Sequence, residues 1–115
     1  MGDIGEHLQR GITYKIDGRY EEALTELQQA LSIDDGNDQV HWQLGLVYGF
    51  NGLFDESIEA LKKAVELNPE NLTAKYDLGM TYTMLGMFDE GKAEFLAILE
   101  VDPENDNARK QMIYF

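Results

Sequence analysis

The chain has 115 residues, with 22 acidic against nine basic side chains and a formal net charge of −13 near neutral pH. That length allows one domain with a modest core, and an apolar content of 43% with only two prolines is globular rather than disordered composition. The absence of cysteine excludes disulfides, thiolate metal sites and cysteine nucleophiles, while the excess of acid excludes nucleic acid, whose phosphate counterions only net positive charge displaces.

A charge of this size serves solubility first and a basic partner second. No apolar run approaches the ~18 residues of a membrane span. The opening MGDIGEHL lacks the basic-then-apolar order of a signal peptide. Glu6 stands where a myristoylation signal needs Ser or Thr. The expectation is a cytoplasmic protein with no membrane span.

The chain copies itself at a period of 34 residues. Tyr14, Tyr48 and Tyr82 fall into register, as do Gly11, Gly45 and Gly79, then Gly18, Gly52 and Gly86, and each block closes on Asn37, Asn71 or Asn105. A fixed period in this range marks a solenoid. The whole chain is therefore expected to be a single domain, residues 1–115, of three units, 4–37, 38–71 and 72–105, followed by a short segment, 106–115.

In the first unit, Gly18, Glu21, Glu22, Ala23, Leu27 and Ala30 take the places that the second unit spells out most fully. There His41, Leu44, Gly45 and Tyr48 recur at i, i+3, i+4, i+7, one face of a helix, and Ser57, Ile58, Leu61, Ala64 and Val65 do the same for a second helix. Gly52 supplies the left-handed residue that ends the first helix. Asp55 and Glu56 then sit in the first turn of the second, where negative charge suits the dipole. Pro69 stops that helix, and Asn71 is a good N-cap for the next. The third unit repeats the grammar with Gly86, Asp89, Glu90, Phe95 and Pro103. Gly11, Gly45 and Gly79 lie inside first helices at ~1 kcal/mol apiece against alanine, and close approach of the paired helix is their expected return.

The run His41, Leu44, Gly45, Tyr48, Ser57, Leu61, Ala64, Pro69 resembles the signature of the tetratricopeptide repeat (TPR) family, in three copies over about nine-tenths of the chain. Three departures occur. Asp35 replaces the first proline, Arg10 stands where Leu44 and Leu78 stand, and Gly91 replaces the small Ala23. The last two lead to the expectation of a looser first helix and a less stable third hairpin. The resemblance implies an all-α, right-handed α-solenoid of three helix–turn–helix hairpins plus a short C-terminal helix, with the first helices lining a concave groove. It also implies a scaffold that binds segments of other proteins there, and no enzyme. Stacked repeats need capped ends. Met112 and Phe115 could cap Phe95 and Leu99, while ten residues make a weak helix that risks exposing Ile113 and Tyr114. The segment reads as a truncated fourth unit or an adhesive tail.

Each first helix carries a second apolar stripe, offset from the signature by roughly 130° at ~100° per residue. It comprises Leu8, Ile12 and Ile16, then Trp42, Leu46 and Phe50, then Tyr76, Met80 and Met84. Packing between neighbouring first helices accounts for about half of that surface. The surplus reads as a groove for an apolar or amphipathic peptide, because aromatic residues are the usual hot spots and methionines adapt to several ligands. Gln9, Lys15, Gln39, Gln43, Thr73, Asp77 and Thr83 form the expected polar edge. The resemblance also brings a test. Chaperone-tail receptors of the family clamp a carboxylate with Lys, Asn and Arg, whereas the matching positions here are Leu8, Ile12, Gln43, Thr73 and Asp77, so that ligand is not expected. The alternative function is homo-oligomerisation through residues 106–115.

No cofactor or metal is expected. His7 and His41 occupy one repeat position and read as half-buried packing imidazoles without a third ligand. Asp102, Glu104 and Asp106 resemble a calcium loop, but Asn107 holds the glycine place and Ile113 that of the bidentate glutamate. The acidic pairs repeat at helix starts, where the dipole explains them, and no catalytic triad order or phosphate loop appears.

Overall fold

The computed structural model describes residues 2–115 as seven helices: α1 (Ile4–Ile16), α2 (Tyr20–Ile33), α3 (Asp38–Phe50), α4 (Phe54–Leu67), α5 (Leu72–Met84), α6 (Phe88–Val101) and α7 (Asp106–Met112). Asparagine side chains start α3, α5 and α7: Asn37, Asn71 and Asn105 accept from the amides of Val40, Ala74 and Ala108, satisfying donors a helix start otherwise leaves bare. The first helices end alike. At Gly52, φ is +79°, and the Leu53 amide reaches back to the Tyr48 carbonyl at 2.8 Å, a Schellman closure that a residue with a Cβ resists. One residue later the second helix begins, so the two lie antiparallel.

Side chains that are small on one helix and large on its partner set the spacing within each hairpin. A Cβ on Gly45 would lie 2.6 Å from Leu61 Cγ, which requires the second helix to move. Gly11 against Leu27 and Gly79 against Phe95 repeat the arrangement. Between hairpins, the second helix of one packs on the first of the next. Leu24, Leu27 and Ala30 meet Val40, Leu44 and Val47; Leu61 meets Leu78 and Tyr82; Phe95 and Ile98 meet Ala108. The resulting body is elongated, 46 × 25 × 20 Å. Among the described residues no helix is long and apolar enough to cross a membrane.

Two of the three departures from the repeat, Arg10 and Gly91, meet local compensations in the structure. Arg10 stands on the face that Leu44 and Leu78 bury elsewhere, and it stays exposed. There the Arg10 guanidinium donates to Glu26 Oε1 at 2.9 Å, and His7 Nδ1 shares that oxygen at 2.8 Å. These partners hold the Glu26 carboxyl below its usual range, His7 most and Arg10 next. Helix α1 keeps the 13-residue length of α3 and α5. Arg10 is thus held on this face by polar partners.

At Gly91 the missing side chain is replaced from across the hairpin. In the second unit, Ser57 Oγ on α4 donates to the Gly45 carbonyl at 2.7 Å, opposite Gly49. In the third, Thr83 Oγ1 on α5 donates to the equivalent Gly79 carbonyl at 2.8 Å, opposite Gly91. Hydroxyl and glycine have exchanged helices. Helix α6 keeps the 14-residue length of α2 and α4.

Helix α7 packs on α6. Ala108 is fully buried on Phe95 and Ile98, Met112 packs beside them, and the Phe115 ring sits 6.0 Å from that of Phe95. Ile113 and Tyr114 remain about four-fifths exposed, at 79% and 80%.

Candidate functional site

Helices α1, α3 and α5 lie side by side. The expected stripe on them divides between its two ends. Toward the helix starts it is used for packing: Leu8 lies on the first core cluster, Trp42 on Leu61, Leu78 and Tyr82, and the Tyr76 ring 5.8 Å from Phe95. Toward the helix ends it is open. Phe50 is 60% exposed, Met84 61% and Met80 37%, and Ile16 is exposed on α1. Trp42 and Tyr76 are half-buried in this way. Each is covered in part by its neighbours, because the start of a first helix meets the following repeat.

Where the stripe is open, α3 and α5 enclose a cavity of about 590 Å³. Its walls are Leu46, Gly49 and Phe50 on α3 and Asp77, Met80, Thr81 and Met84 on α5; Phe54, Ser57 and Leu61 of α4 form the floor. Four expected groove residues, Leu46, Phe50, Met80 and Met84, are thus brought together. Leu8, Ile12, Ile16, Trp42 and Tyr76 do not line it. The sequence reading missed Phe54 and Gly49. The signal for Gly49 was present: its repeat equivalents are Lys15 and Thr83, so the second unit alone lacks a side chain there.

The polar residues also divide. Gln9, Gln39 and Thr73 are exposed, as an edge requires. Gln43 is buried instead, accepting from Lys15 Nζ at 2.6 Å, and Thr83 turns into its own hairpin. Trp42 Nε1 donates to Asp77 Oδ2 at 2.8 Å, which fixes the indole across the gap between α3 and α5. Burial pushes the Asp77 carboxyl above its usual range, against the hydrogen bond from Trp42 and the field of Lys15, and burial also lowers the Lys15 ammonium. A band of polar groups from three helices therefore crosses the concave face, where a rim was expected.

The remaining candidates have structural partners. His41 Nε2 lies 2.7 Å from the Asp35 carbonyl, and His7 is held by Glu26. Glu21, Glu22, Asp55, Glu56, Asp89 and Glu90 occupy first turns of helices. Among the described residues no cluster of three or more metal-ligating side chains occurs.

Comparison with known proteins agrees with this architecture. Residues 11–52 match a family profile described as TPR repeat, and residues 50–112 match one described as tetratricopeptide repeat. No curated protein gives a match. Among solved structures, the first TPR of Spaghetti (RPAP3), bound to an HSP90 peptide, superposes with a TM-score of 0.90 at 21% identity, covering 97% of this chain and 89% of that one. The first TPR domain of human RPAP3 gives 0.86 at 22%, covering 96% and 87%. YrrB, described as a TPR protein with an unusual peptide-binding site, gives 0.87 at 19%, covering 97% and 58%. At these identities the likeness shows the fold. With one profile spanning more than half its length, the chain belongs to the tetratricopeptide repeat family.

Proposed function

We propose that this protein is a non-catalytic interaction module whose groove between α3 and α5 holds an apolar or amphipathic segment of another protein. One observation carries the reading: Phe50, Met80 and Met84 wall an open cavity and stay substantially exposed after the repeats have stacked. Contiguous apolar surface left open in this way marks an interaction site. TPR domains are peptide-binding modules, and the Spaghetti domains were solved with a peptide bound. Leu46, Phe50, Met80 and Met84 are the anchors; Trp42 holds Asp77 of the cavity wall, and Ile12 and Ile16 extend the apolar surface along α1. Gln9, Gln39 and Thr73 give it a polar margin.

Leu46→Glu and Met80→Glu test the proposal, since each places a charge in the cavity wall. Binding of an amphipathic peptide is lost in both while the helical circular dichroism is retained. Unimpaired binding, or loss of the fold, contradicts it.

The exposure of Ile113 and Tyr114 supports a second reading, in which residues 106–115 of one copy dock on another. Light scattering of the full chain against one ending at Asn107 decides; equal monomer masses remove this reading.

A further inference from the structure

Asp77 is the one charged side chain lining the cavity, and it has no direct ion pair among the described residues. Trp42 needs only an acceptor for its N–H, and a neutral amide would serve. The two sister positions, Gln9 and Gln43, carry amides. The carboxylate is instead retained at a half-buried place, where desolvation makes the charged form costly. Trp42 occupies Oδ2, while Oδ1 accepts from no described residue. No buried polar atom lacks a partner among the described residues, so Oδ1 must be reachable by solvent. Lys15, the nearby cation, is committed to Gln43 and forms no ion pair with Asp77.

Building on the groove reading, we infer that the partner segment is a cationic amphipath: a lysine or arginine side chain sits on Asp77 Oδ1, and the adjoining apolar side chains fill the space between Phe50 and Met84. The chemistry is complementary at two scales. Locally, a charge-assisted hydrogen bond in a low-dielectric wall is stronger than one between neutral groups. Globally, a net charge of −13 steers a basic segment toward the protein. The geometry also sets a spacing. Asp77 and Met84 are seven residues apart on α5, about 10 Å at 1.5 Å per residue. A helical ligand lying along α5 meets both with a cation and a bulky apolar residue at i and i+7.

The experiment uses synthetic amphipathic helical peptides without tryptophan, identical except that arginine, citrulline or glutamate is placed in turn at seven successive positions. Walking the substitution removes dependence on an assumed register. Binding is read from the emission of Trp42, the only tryptophan, and confirmed by anisotropy of labelled peptide. At the matching position arginine binds about tenfold tighter than citrulline, the worth of one charge-assisted hydrogen bond. That preference disappears in Asp77→Asn, which keeps an acceptor for Trp42, and glutamate binds more weakly than either. Equal affinity for arginine and citrulline at every position overturns the inference, as does tighter binding of glutamate or a preference that survives Asp77→Asn. In those cases peptide binding abolished by Leu46→Glu leaves the groove reading standing. If no peptide binds, both fall.

Discussion

The exchange of hydroxyl and glycine between hairpins can be tested by undoing it. A Cβ on Gly91 would collide with Thr83 Oγ1 and stand 3.0 Å from the Gly79 carbonyl oxygen, so Gly91→Ser has no place for its side chain until Thr83 turns away and gives up its 2.8 Å hydrogen bond. Overpacking of this kind costs about 1–3 kcal/mol. Replacing glycine inside a helix returns part of that, some 0.5 kcal/mol. Thr83→Gly alone loses a hydroxyl bond and helix propensity, together about 1–2 kcal/mol. The double variant restores the pattern of the second unit, where Ser57 serves Gly45 opposite Gly49. It should lie within about 1 kcal/mol of the parent, a favourable coupling of about 1–3 kcal/mol between contacting sites. Urea unfolding followed by circular dichroism measures all four corners of the cycle. Additive losses would refute the argument, because they would mean that Thr83 and Gly91 do not share the space the structure assigns them.

Two other substitutions probe the joint and the groove separately. Leu61 is 1% exposed between Gly45, Leu78 and Tyr82, so Leu61→Ala should destabilise by about 2–5 kcal/mol in urea unfolding, and a loss below 1 kcal/mol would deny it that place. Burial raises the Asp77 carboxyl, so the folded chain binds its proton more tightly than the unfolded chain does, and stability falls as pH rises through that interval. Asp77→Asn should therefore be the more stable protein near pH 7, with an advantage that vanishes once acid protonates Asp77 in both states. A variant less stable than the parent at neutral pH would contradict the sign.

Much of this fold was legible because its determinants are local. Gly52 and its equivalents, the asparagine caps and the acidic first turns each act within a few residues, and the period repeats them three times. The closeness of the paired helices was legible in Gly45, since a glycine inside a helix needs a compensating contact. What could not be read was how far along a shared face the neighbours reach. Helical phase puts Trp42 and Phe50 on one stripe, but the packing between hairpins covers the start of that stripe and leaves its end open. Gln43 and Thr83 were misplaced for the same reason. Their burial depends on Lys15 in the preceding hairpin and on the absence of a side chain at Gly91, contacts that spacing alone does not specify. The Asp77–Trp42 bond likewise joins residues 35 apart, one repeat and one step.

The central claim is that the open apolar wall between α3 and α5 is where a partner segment sits. Methionine methyl resonances report on it directly, because Met80 and Met84 line the cavity whereas Met87 lies in the α5–α6 turn and Met112, at the end of α7, packs beside Phe95 and Ile98 of α6. On titration with an amphipathic cationic peptide, the Met80 and Met84 methyl signals should move together and saturate while Met87 and Met112 stay in place. Shifts confined to Met87 or Met112, or a bound peptide that leaves Met80 and Met84 unmoved, would contradict the account.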